Sequence, residues 1–92
     1  MPFDRSFFES FEELIRQYSR REDCESPIVE ILLSDTSKFE VKHINALGDG
    51  WVGCTIYDKT GCSTDMFLPF EQIARIIFYR DPHKSDAIGF RR

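Results

Sequence analysis

Residues 38–57 read KFEVKHINALGDGWVGCTIY, and this stretch decides the fold. Phe39, Val41, His43 and Asn45 alternate with Glu40, Lys42, Ile44 and Ala46, the two-residue period of a strand with one face turned inward. The alternation falters around Ile44, which predicts a bulge or a sharp bend. Gly48-Asp49-Gly50 is a turn signal, and Trp51 to Tyr57 follows as a second β-forming run. The same residues spell a literal GxGxxG from Gly48 to Gly53. A dinucleotide site needs a helix after the glycines to hold pyrophosphate, and here a strand-forming segment follows, so the match reads as a hairpin turn.

Working outward, Asp58-Lys59-Thr60-Gly61 is a further hairpin turn and Cys62 to Leu68 a further strand. Pro69 cannot donate to a ladder, so the chain is expected to break there before a last strand from Ile73 to Tyr79. Upstream, the apolar run Ile28 to Leu33 is the first strand, and Asp35-Thr36-Ser37 the turn after it. Before residue 27 the period changes. Phe3, Phe7, Phe11, Leu14 or Ile15, and Tyr18 recur every three or four residues between acids and arginines, which predicts an amphipathic helix with an aromatic face. Asp4 is placed to cap its start, with Phe3 and Phe8 as a hydrophobic staple; Ser6 with Glu9 is an alternative capping box. The polar run from Arg21 to Ser26, closed by Pro27, links helix to sheet. The aromatic stripe reads as a core face packed on the sheet, so Phe11 is expected to be buried.

The fold class is therefore mainly β: an N-terminal α-helix and a strongly bent five-stranded antiparallel sheet in one domain, residues 1–79, with a charged tail at 80–92. A chain of 92 residues holds one core, and its 41% hydrophobic and 14% aromatic content suffices without metal or disulfide staples. Three cysteines, at 24, 54 and 62, without CxxC spacing argue against a disulfide framework or a zinc cage and predict free thiols. No apolar run reaches the roughly 18 residues that span a bilayer, and the N-terminus is acidic where a signal peptide is basic. The expectation is a cytoplasmic protein with no membrane contact.

Neither His43 nor His83 lies in a sequence pattern of nucleophile or metal ligands; His43 is expected as a half-buried strand residue and His83 as part of the tail. No catalytic residue, metal or cofactor is expected. The net charge of −4 is uneven, −7 over residues 1–72 and +3 over 73–92, so a polyanion would have to meet the C-terminal end or a small local face. Trp51 after its turn and Phe70 in the break between the last strands are candidate exposed aromatics able to stack on bases. Burial as loop anchors is the competing reading.

The order of elements, and above all Met66-Phe67-Leu68-Pro69-Phe70-Glu71-Gln72-Ile73-Ala74-Arg75-Ile76-Ile77-Phe78, resembles the Sm/LSm family of small β-barrels, whose closing motif joins an apolar strand through a short turn to an Ile-x-x-Ile strand. Here those isoleucines are Ile73 and Ile76, and the resemblance covers about residues 4–79. It implies a closed ring of about five to seven subunits, the fourth strand of one subunit pairing with the fifth of the next. It also implies non-catalytic binding of single-stranded nucleic acid, RNA above all. Asn45 falls near the family's loop Asp, Gly48-Asp49-Gly50-Trp51 near its Asn, and Pro69-Phe70 where a basic pair stands. The implied base-binding set is then Trp51 and Phe70 for stacking, Asn45 and Gln72 for base edges, and Lys42 and Arg75 for charge. The alternative is an Sm-like or SH3-like barrel that acts as a protein-interaction or assembly module without nucleic acid.

Overall fold

A computed structural model describes residues 2–58 and 60–80. The expected tail, with His83, falls almost wholly outside the described residues. Two helices, α1 (Arg5–Glu9) and α2 (Phe11–Glu22), precede strands β1 (Ile28–Leu33), β2 (Lys38–Leu47), β3 (Trp51–Tyr57), β4 (Ser63–Pro69) and β5 (Ile73–Tyr79). A single 3-10 turn, Phe70–Gln72, links the last two.

The one helix expected from the periodicity is broken at Ser10. Asp4 caps α1 as the sequence suggests, its carboxylate accepting from the Phe7 N–H at 3.0 Å. Ser10 then ends α1 by donating its N–H to Phe7 and begins α2 by accepting from Leu14. The staple is altered as well: Phe3 packs edge-on against Phe7, while Phe8 turns inward to stack on Phe70. α2 ends at Asp23, whose backbone takes the left-handed conformation (φ 51°) that closes many helices.

The five strands form one antiparallel sheet in the order β4-β3-β2-β1-β5. The barrel expectation is corrected here. The sheet stays open: among the described residues β4 is hydrogen-bonded only to β3 and β5 only to β1. β2 carries two register shifts, between Val41 and His43 and between Ile44 and Ala46, so the bulge expected near Ile44 is present and has a companion. Each extra residue bends and twists the strand. Pro69 does not break the ladder as expected but ends β4 opposite Trp51, and the turn begins one residue later.

The core lies between helices and sheet: Phe8 and Phe11 from the helices, Val29, Ile31, Val41, Val52, Cys54 and Ile56 from the first three strands, and Leu68, Phe70 and Ile73 around the last turn. Burial of Phe11 agrees with the reading of the aromatic stripe.

Candidate interaction surface

β3 shows why the sheet has two chemically different faces. Val52, Cys54 and Ile56 point into the core, so Trp51, Gly53, Thr55 and Tyr57 lie on the opposite face, where Gly53 and Thr55 are covered by their neighbours and Trp51 and Tyr57 are exposed. Their neighbours on β4 are Pro69, Phe67, Asp65 and Ser63, each directly opposite in register. On β2 the second bulge adds Asn45 to the same face, beside Thr55.

At its centre is a polar network. The Asn45 side-chain amide donates to Thr55 Oγ1 at 3.0 Å and to Asp65 Oδ1 at 3.3 Å, and the Thr55 hydroxyl donates to Asp65 Oδ1 at 2.9 Å. Because a carboxylate only accepts, the amide nitrogen of Asn45 must face Asp65. Asn45 Oδ1 is thereby turned the other way, over Gly53.

Gly53 is the seat of that arrangement. A Cβ at this position would stand 2.8 Å from Asn45 Oδ1 and 2.8 Å from Phe67 Cε1, so the bare backbone lets oxygen and ring both come in close over the strand. Its backbone needs no positive φ, and glycine inside a strand costs about 0.5–1 kcal/mol relative to alanine. Close approach is what the residue offers in return. Gly48 does the same for Trp51, whose indole nitrogen lies 2.1 Å from the place a Cβ would occupy. Trp51 is 41% exposed and meets Phe67, 61% exposed, edge-on with ring centroids 5.7 Å apart.

The expected site residues divide. Asn45 and Trp51 share this face, linked through Phe67. Lys42 lies toward its other end, donating to Ser63 at 2.9 Å with its ammonium 5.1 Å from the Tyr57 ring centroid. Trp51 and Tyr57 are six positions apart on β3, about 20 Å. Phe70 is not available to a ligand. It is 3% exposed, stacked at 5.6 Å and 11° on Phe8, with its N–H donated to the Gly50 carbonyl. The 3-10 turn rolls its ring inward, so the loop-anchor reading holds for Phe70. Gln72 is exposed and its carbonyl accepts from both the N–H and the hydroxyl of Ser34. Arg75 is exposed on β5 opposite Leu32. Among the described residues neither shares a hydrogen bond, ion pair or ring contact with Asn45, Trp51 or Lys42. His43 is exposed on β2, not half-buried.

Phe67, Thr55, Asp65 and Gly53 did not figure among the expected residues. Their signal was strand parity: once Val52, Cys54 and Ile56 are assigned inward, the odd positions of β3 and β4 must share the other face.

A second surface lies at the far edge. An open groove of about 410 Å³ runs beside β5, lined chiefly by Phe3, Phe7, Leu14, Tyr18, Ile76 and Phe78. All three cysteines are free. Burial, with a smaller push from the Asp65 charge, raises the Cys54 thiol from 9.0 to about 11. Among the described residues no group of three or more His, Cys, Asp or Glu is placed to hold a metal ion, and no helix is long and apolar enough to cross a membrane. No protein-family model, curated protein or solved structure matches the chain.

Proposed function

We propose that this chain is a non-catalytic, Sm-like assembly and interaction module of the cytoplasm, which associates with copies of itself through the two edges of its open sheet. The observation that carries the reading is that β4 and β5 are both terminal strands of high β-propensity, each paired on one side only among the described residues. Such edges are templates for another chain and are normally covered or blunted. Here Ile77 on β5 is 38% exposed, and β5 borders an apolar groove that a strand added to it would roof. The order of elements and the one-turn link between β4 and β5 support the Sm-like reading of this geometry. Pairing the β4 of one copy with the β5 of the next is heterologous, so the assembly must close, and a ring of about five to seven subunits does so.

Single-stranded RNA is a second reading, favoured by the exposed indole of Trp51 and by Phe67 beside it. Its expected cation set is not gathered there, since Lys42 lies toward the other end of that face and Arg75 on β5.

Light scattering at micromolar concentration tests the assembly. The expected result is a single multi-subunit mass, and Ile77→Lys, at an exposed position, should reduce it to smaller species while leaving the fold intact. A monodisperse monomer from the unaltered chain would end the proposal.

A further inference from the structure

The outer face of β2, β3 and β4 is uneven: at one end the Lys42 ammonium is engaged by Ser63 and Tyr57, whereas around Asn45, Asp65 and Phe67 it offers a ligand acceptors and an aromatic ring, with the Trp51 indole at the border. The polar network consumes the Asn45 amide nitrogen, the Thr55 hydroxyl and Asp65 Oδ1. It leaves Asn45 Oδ1 and Asp65 Oδ2 outside it, two oxygens on adjacent side chains, one of them carrying carboxylate charge. Asn45 Oδ1 and the Phe67 ring both come in over Gly53, and Trp51, seated on Gly48, meets Phe67 edge-on. A group that satisfies this surface must be flat, rich in N–H donors and positively charged. A guanidinium is all three, since it can lie on an aromatic face while its fork of donors meets two oxygens. An ammonium supplies charge without the plane. A phosphate supplies neither donor nor favourable charge.

The charge of the chain points the same way. Residues 1–72 carry −7, a field that draws in a basic segment and opposes a polyanion. Gly53 argues that the arrangement is built. A glycine weakens the strand that contains it, and here it brings together the oxygen and the ring that a guanidinium would use at once.

We infer that this face docks an arginine-bearing basic segment of a partner protein, with one guanidinium on the Phe67 ring, donating to Asn45 Oδ1 and Asp65 Oδ2 and bounded by Trp51. The inference rests on the interaction-module reading and specifies its partner.

Trp51 is the only tryptophan of the chain, so its emission reports directly on the site. The full chain is titrated with a peptide of alternating glycine and arginine, with the same peptide carrying lysine, and with a uridine-rich oligonucleotide. The arginine peptide should bind best. Phe67→Ala should weaken it by about two- to fivefold, the size of one exposed cation–ring contact. Asp65→Asn should weaken it further, and Gly53→Ala should weaken it by displacing Phe67 and Asn45 without deleting either; far-UV circular dichroism confirms that each variant is folded. Equal binding of the lysine peptide, unchanged affinity in Phe67→Ala, or binding of the oligonucleotide alone would overturn the site. Light scattering on the same samples separates the two proposals. A ring that ignores the arginine peptide defeats this site only, and a monomer that binds it defeats only the assembly.

Discussion

The inner and outer faces of β3 differ by one residue of offset and by everything in chemistry. Inward, Val52, Cys54 and Ile56 meet the helices in a dry core; outward, Trp51, Gly53, Thr55 and Tyr57 meet an amide, a carboxylate and solvent. The inner face is redundant, because many side chains share the burial and the helices close over them. The outer face is specific, because each group depends on one neighbour in one register. Stability should therefore reside on the inner side and recognition on the outer.

Three experiments break or sharpen that contrast. The largest effect is expected from Phe11→Ala, which opens a cavity between α2 and the inner face where Phe8, Phe11 and Phe78 meet. Urea unfolding should show a loss of about 3–5 kcal/mol, and a loss below about 1 kcal/mol would mean that the helix does not close the core.

A smaller effect belongs to Cys54. The unfolded thiol ionises around 9.0, whereas the folded one holds its proton to about 11. Its share of stability is therefore complete below pH 9.0 and is lost as the pH rises toward 11. The difference in urea midpoint between the unaltered chain and Cys54→Ala should shrink across that window, and a constant difference would show that the thiol is not buried.

The smallest effect is expected from Phe67→Ala. A ring so exposed should cost no more than about 0.5 kcal/mol when removed, even though binding at the outer face should fall. A large loss of stability would erase the distinction between the faces.

Much of this was legible because it is local. Asp4 could be placed as a cap because a carboxylate reaches back to the amide three residues on, whatever the rest of the chain does. The turns at residues 35–37, 48–50 and 58–61 follow from side-chain and backbone chemistry within a few residues. At the last of them Asp58 accepts from the Thr60 hydroxyl above all, and from the amides of Cys62 and Thr60, which lowers its carboxyl below the usual range. Gly61 beside it takes a φ of 84°. The break at Ser10 was not legible, since the aromatic spacing runs through it without interruption and no glycine or proline marks it.

Phe70 and Phe67 show where local reading ends. They sit three residues apart, both aromatic and both near the end of a strand, yet one is buried against Phe8 and the other stands in solvent. Strand parity places Phe67 on the outer face but says nothing of Phe70, which lies past the end of β4. The 3-10 turn and the landing point of α1 decide it, and both are tertiary facts.

The sequence by itself determined the helix cap, the five strands and the turns between them, because period and turn chemistry act between near neighbours. Only the tertiary structure decided that the sheet stays open, that Phe70 is core, and that Asn45, Thr55 and Asp65 form one network over Gly53. Those depend on strand register and on a bulge in β2, which set residues ten and twenty positions apart side by side.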